Sequence, residues 1–188
     1  MNDRKKMIMD AFWELLEEKP YNKISVRLIV ERCGVNRNTF YYYFQDIPTL
    51  AEEILKNQMD LLIDRHCRLG SLEECISLMV NFFMKNKKAA MHLYRALPRD
   101  IFISHLDGLM YRLVNLYVKN ISDALNIQIE NQELVVRFFK CLLVGVFLDW
   151  LEQNMSYDLL KDCTVICEQQ KGTGFQFLLN AAEKKKVC

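Results

Sequence analysis

The sequence predicts an all-α protein, and three observations carry that expectation. Glycine and proline are scarce, six and three in 188 residues, too few for the turns that a sandwich of short strands requires. Apolar residues recur at i, i+3, i+4 and i+7 rather than alternating, the period of a helix face. Capping residues stand directly before several of these amphipathic runs.

The elements follow in order. A first helix is expected from Asp3 to Glu18, with Ile8, Ala11, Phe12 and Leu15 on one apolar face. Pro20 cannot continue it and biases Lys19 away from the α region. Ser25 stands where an N-cap belongs, so Val26 to Arg32 forms a short second helix with Val26, Ile29 and Val30 inward. Gly34 can take positive φ at its end, and Asn36 can cap a third helix from Arg37 to Phe44. Asp46 caps a fourth, which tolerates Pro48 because N–H groups of the first turn lack helical partners anyway. That helix is expected to reach about Leu69, with Ile47, Leu50, Ile54 and Leu61 or Leu62 inward, and to stop at Gly70. Ser71 to Glu74 reads as a capping box for a fifth. Further helices are expected over roughly Ala89 to Ala96, Pro98 to Leu125, Glu130 to Asn154 and Tyr157 to Ala182, the last interrupted at Gly172 and Gly174.

Several functional classes are set aside by composition. The N-terminus is charged and amphipathic where a secretory signal would be apolar, so a cytoplasmic protein is expected. The apolar run from Phe138 to Leu151 is shorter than the roughly 20 residues that span a bilayer and contains Lys140 and Asp149. It reads as a buried helix, with no membrane partner. Seven cysteines, an odd number, argue for reduced thiols rather than a disulfide framework. Cys163 and Cys167 lie one helical turn apart and are either a redox or metal pair or small core residues. No C-x-x-C occurs, and His66, His92 and His105 form no compact ligand set. With no phosphate loop, nucleophile elbow or H-E-x-x-H present, neither an enzyme, a metal site nor a cofactor is expected.

The net charge of +1 announces no polyanion partner, but its distribution does. Between Lys19 and Phe44 stand five basic residues, Lys19, Lys23, Arg27, Arg32 and Arg37, against the single acidic Glu31. A local field of that sign suits nucleic acid. Inside this segment lies "NRNTFYYYF", residues 36 to 44. At about 100° per residue, with Phe40 at zero, Phe44 falls near 40°, Asn38 near 160° and Tyr42 near 200°. The phenylalanines form a buried stripe, whereas Tyr42 and Asn38 must face away from it. Such a helix offers flat rings and hydrogen-bonding groups at the scale of a DNA major groove.

The stretch "ISVRLIVERCGVNRNTFYYYFQD" resembles the helix-turn-helix of TetR/AcrR-type transcriptional regulators. The likeness covers about residues 5 to 55, with Ser25, Arg27, Gly34, Val35, Thr39, Phe40, Tyr41, Tyr43, Phe44 and Asp46 in register. It departs at Ile47, where the family often has a phosphate-binding Lys, and at Val30, where Ala is usual. Phosphate anchoring must then lean on the N-terminus of the fourth helix and on Ser25, Tyr41 and Tyr43.

The resemblance implies a three-helix DNA-binding domain at residues 1–47 and a larger helical effector-binding and dimerisation domain at 48–188, about nine helices in all. It implies phosphate-side contacts from Ser25, Thr39, Tyr41 and Tyr43, and base reading by Arg27, Arg37, Asn38 and Tyr42. Arg4, Lys5 and Lys6 either reach flanking backbone or form a solvated helix start. The implied function is a ligand-responsive homodimeric repressor of a near-palindromic double-stranded operator; a helical adaptor or co-activator of the same fold, acting through protein contacts, is the alternative. The implied partners are operator DNA, a second copy of the chain through the last two long helices, and a small-molecule effector.

The apolar character of Phe138 to Leu151 on nearly all faces, with Gly145 permitting close approach, agrees with a helix that meets a partner chain. Between residues 79 and 117, a set rich in Met, Phe and Tyr either lines an adaptable pocket or packs an ordinary core. No ligand contact is assigned from it.

Overall fold

The computed structural model describes residues 3–66, 72–125 and 131–169. These residues form nine α-helices, joined by turns and one short 3-10 segment, with no strand among them. They are α1 (Asp3–Glu18), α2 (Val26–Cys33), α3 (Arg37–Tyr43), α4 (Ile47–His66), α5 (Leu72–Lys85), α6 (Lys87–Ala96), α7 (Arg99–Leu125), α8 (Gln132–Glu152) and α9 (Leu159–Gln169). The chain divides into two compact units, one of Met1–Leu61 with Phe82–His105, the other of Leu62–Asn81 with Leu106–Cys188.

In the first unit α1 packs against α2, α3 and α6, and α2 against α3. Its core is the predicted stripe of α1 (Ile8, Ala11, Phe12 and Leu15, joined by Met9 and Leu16), with Ile29 and Val30 from α2 and Phe40 and Phe44 from the third helix and its cap. α1 ends as Pro20 requires, and the 3-10 turn Tyr21–Lys23 carries the chain to Ile24, which is buried. Val26 is only half-buried, in contrast to its expected inward position, because α2 turns Ile29 and Val30 to the core.

Along α4, Leu50 and Ile54 are buried as expected, joined by Ala51, Leu55 and Met59. Leu61 is 44% exposed and Ile47 half-buried, so the inward stripe is narrower at both ends than the sequence suggests. The expected stop at Gly70 and the capping residue Ser71 lie outside the described residues.

The second unit is built on α7 and α8, where Val114, Val118, Val135 and Val136 form a buried cluster flanked by Tyr117, Phe139 and Leu143. Fully buried Trp150 donates its indole N–H to the Tyr157 carbonyl at 3.0 Å, and the Tyr157 hydroxyl donates to Asp149 at 2.8 Å. α8 stops two residues before the expected Asn154, because Asn154 and Met155 both take left-handed φ, 56° and 52°. The Met155 N–H then folds back on the Trp150 carbonyl, closing the terminal turn. α9 begins later than expected, at Leu159, where Asp158 accepts from the Lys161 N–H at 3.0 Å. Its expected continuation to Ala182, with Gly172 and Gly174, lies outside the described residues, as does the side chain of Cys167; Cys163 is half-buried. No helix is long and apolar enough to cross a membrane, and no group of metal-ligating side chains forms, among the described residues.

Candidate nucleic-acid interface

The helix-turn-helix is set by three caps. Ser25 Oγ accepts from the Leu28 N–H at 3.3 Å, opening α2. Gly34 closes it in the left-handed region, φ +69°, with its N–H on the Val30 carbonyl. Asn36 Oδ1 then accepts from both the Thr39 N–H at 2.8 Å and the Thr39 hydroxyl at 3.0 Å, opening α3. Each satisfies orphan backbone groups at a helix end, so the turn holds two short helices at a fixed angle.

Seven residues cannot sustain an isolated helix, and α3 is held by its apolar stripe. Phe40 and Phe44 are 0% and 2% exposed, their rings 5.9 Å apart. Asn38 and Tyr42 form the opposite face and Arg37 stands in the first turn of the helix, all three exposed, with Tyr42 at 80%. Tyr41 is 56% exposed, its ring edge-on to Phe40 at 5.4 Å; Tyr43 is half-buried and meets Tyr42 edge-on at 4.9 Å. The Tyr42 ring is thereby steadied at one edge while most of its surface is open.

The charge of the segment is less available than its residue count suggests. Arg32 turns inward to α1, where its guanidinium donates to Glu18 at 2.7 and 2.8 Å and to Glu14 at 3.4 Å. That pairing holds the Glu18 carboxyl below its ordinary value, through the Arg32 hydrogen bond first, and makes Arg32 a clamp between α1 and α2. Lys5 is likewise occupied, 2.8 Å from Glu53 and 5.6 Å above the Phe44 ring. It ties α1 to α4 and shields the C-cap of α3, so it is held on the protein. Arg27 pairs with Glu31 at 2.7 Å on the outer face of α2. Arg37 has no ion pair among the described residues and stands at the N-terminal end of α3.

The remaining sequence-predicted positions gather on the same unit. Ser25 is exposed, and its hydroxyl hydrogen is left to donate while the oxygen caps α2. Thr39 is half-buried and its one hydroxyl hydrogen goes to Asn36, so a phosphate would compete with the cap for it. The start of α4 holds its own anion: Asp46 accepts from the Thr49 hydroxyl at 2.7 Å and from its N–H at 2.8 Å. Those bonds, the side-chain one first, hold the Asp46 carboxyl below its ordinary value. A phosphate at that helix end would meet this charge. Sequence reasoning missed the Arg32 clamp, the Lys5 tie and the His92 Nδ1 contact with the Leu16 carbonyl at 2.8 Å. No local spacing signals any of them. The Arg27–Glu31 pair was legible as an i, i+4 spacing.

In the second unit α8 carries an exposed apolar stripe, Leu134, Phe138, Leu142 and Val146, at 62, 52, 50 and 42% exposure. Gly145 lies beside it with nothing within 4 Å of where a Cβ would sit. Of the Met- and aromatic-rich set, Met79, Phe83, Met91, Phe102 and Met110 are buried, while Met84 and Tyr111 are exposed. In the first unit Phe82 stacks on Trp13 and Tyr94 meets Phe102 edge-on, which are contacts of core packing.

Comparison with known proteins agrees with this architecture. A family model described as "Bacterial regulatory proteins, tetR family" matches residues 8–54, and one described as "Transcriptional regulator C-terminal region" matches residues 70–161. The chain is similar to the HTH-type dhaKLM operon transcriptional activator DhaS of Lactococcus lactis, 29% identical over 82 residues, which are 44% of each chain. It is also similar to the uncharacterized HTH-type transcriptional regulator YvdT of Bacillus subtilis, 36% identical over 62 residues, 31% of this chain and 32% of that one. The matched stretches thus span less than half the length of these curated relatives. Among solved structures, the dihydroxyacetone kinase operon activator DhaS superposes with a TM-score of 0.71 at 17% identity, covering 96% of both chains. NalD, the secondary repressor of the MexAB-OprM multidrug efflux pump in Pseudomonas aeruginosa, gives 0.55 at 21%, covering 92% of this chain and 96% of that one. At these identities the superpositions speak for the fold.

Proposed function

The chain belongs to the TetR family of transcriptional regulators, and from that premise we propose that it is a sequence-specific, ligand-responsive homodimeric repressor of a near-palindromic double-stranded operator. The observation that carries the reading is the division of α3: two phenylalanines anchor seven residues to the core and leave Arg37, Asn38 and Tyr42 facing outward. Residues 1–47 make the DNA contacts in this reading and residues 48–188 supply dimerisation and effector binding. Arg27, Arg37, Asn38 and Tyr42 read base edges; Ser25, Tyr41 and Tyr43 donate to phosphates, with Thr39 in a weaker role. Two copies of α3 enter successive major grooves roughly 34–36 Å apart.

The exposed stripe of α8 supports self-association through the last long helices, since four large apolar side chains one turn apart suit a two-fold contact. An effector that favours another spacing of the two α3 helices would release DNA by shifting the population of states. The site of action is the cytoplasm, where the operator lies.

Selection of bound duplexes from a random-sequence pool, followed by gel shift at several salt concentrations, tests the proposal. Retention of one palindromic class of site is the expected outcome; binding indifferent to sequence at every salt refutes it. A second reading, an adaptor or co-activator acting through protein contacts, draws support from the relative named as an activator. Replacing Arg37 and Tyr42 by Ala distinguishes the two, because it abolishes operator binding while the dimer persists if α3 reads DNA.

A further inference from the structure

Glu31 is the single acidic residue between Lys19 and Phe44, and it sits beside a residue that the DNA-binding reading assigns to base recognition. Its Oε1 accepts from Arg27 Nε at 2.7 Å, with the two side chains 54% and 71% exposed. That bond engages one of the five guanidinium donors and leaves the donors of the two terminal amino groups for another partner. Resting on the DNA-binding reading above, we propose that Glu31 is a specificity-determining positioning residue: it buttresses Arg27 so that the guanidinium edge meets a guanine, and it withholds Arg27 from phosphates.

The two effects have separate physical origins. A guanine presents O6 and N7 as a fixed pair of acceptors, and a guanidinium whose plane is already set can engage both. A phosphate asks only for positive charge and rewards it through released counterions. The Glu31 carboxylate cancels most of the charge that Arg27 would offer there, and it repels the phosphate itself. The rest of the segment fits this division. With Arg32 turned onto Glu18 and Glu14, few cations remain to bind DNA indiscriminately, and the acidic residue that persists on the outer face of α2 lies against a base reader.

The test uses the full chain, a duplex selected by the wild-type protein and a shuffled duplex of the same composition, with binding measured across salt concentrations. Glu31→Ala is expected to tighten binding to the shuffled duplex several-fold at low salt and to steepen its salt dependence by roughly 0.9 in log–log slope per protomer, one more phosphate neutralised. The preference for the selected duplex should fall about tenfold per protomer, the loss of one well-oriented base contact in each half-site. In an Arg27→Ala background the same change should have less than a third of this effect on the preference. A Glu31→Ala protein with unchanged slope and preference overturns the inference while leaving DNA binding intact. An undiminished effect in the Arg27→Ala background overturns the route through Arg27, and a wild-type protein that selects no duplex overturns both this inference and the reading beneath it.

Discussion

Phe40 and Tyr42 stand two residues apart on a seven-residue helix and should fail in opposite ways when truncated. Phe40 is 0% exposed and packs on Phe44 at 5.9 Å and on Tyr41 at 5.4 Å. Phe40→Ala removes a fully buried ring, a change that costs about 3–5 kcal/mol through lost burial and residual cavity. Tyr42 is 80% exposed, so Tyr42→Ala should alter stability by less than about 0.5 kcal/mol. In the proposed DNA-binding reading its effect falls on binding. One hydrogen bond or ring contact to DNA is worth about 1–1.5 kcal/mol, and two-fold symmetry doubles it, so operator affinity should fall roughly 30- to 150-fold. Urea unfolding followed by far-ultraviolet circular dichroism, paired with fluorescence anisotropy on the selected duplex, separates the two quantities. Phe40→Ala should lower the urea midpoint and reduce binding through loss of folded protein. A Tyr42→Ala protein that is destabilised by more than 1 kcal/mol, or that binds the duplex as tightly as wild type, would refute the division of α3 into an anchor face and a reading face.

Other outcomes follow from features of both units. Leu142→Glu places a charge in the middle of the exposed α8 stripe; light scattering should show a dimer for wild type and a monomer for the variant, with the circular dichroism unchanged. Gly34 takes φ +69° with nothing within 4 Å of an added Cβ, so Gly34→Ala meets only backbone strain, about 1 kcal/mol, and Gly34→Asn less than half of that, measured by urea midpoint. The Tyr157 hydroxyl is pushed up to about 12 by burial first and by its bond to Asp149 second. The folded state therefore keeps a proton that the unfolded chain releases near pH 10, so stability is full below pH 10 and lost as pH rises toward 12. Tyr157→Phe should flatten that decline in a pH series of urea midpoints.

Much of the first unit was legible because its signals are local. Ser25, Gly34, Asn36 and Asp46 each announce a helix boundary through chemistry within four residues of themselves, and each cap forms as read. The wheel placed Phe40, Phe44 and Tyr42 for the same reason. Fates decided by long-range partners were not legible. Arg32 looks like one more cation on a basic segment until α1 brings Glu18 to it, and Lys5 looks like a free N-terminal charge until Glu53, 48 residues away, meets it. The end of α8 was overrun by two residues because the left-handed pair Asn154 and Met155 carries no glycine to mark the stop. Asp158 falls one residue inside the helix expected from Tyr157, so its capping role was missed.

The chain has two tryptophans, and each compact unit holds one of them. Trp13 stacks on Phe82 at 6.3 Å in the first, half-buried, while Trp150 is sealed in the second with its N–H on a backbone carbonyl. Their emission therefore differs in environment before any label is added, the first partly wet and the second dry. Trp13→Phe and Trp150→Phe proteins would each report on one unit alone, giving two optical windows on a single chain. Unfolding traces that coincide in the two windows would mark one cooperative system, and traces that separate would give each half its own melting curve.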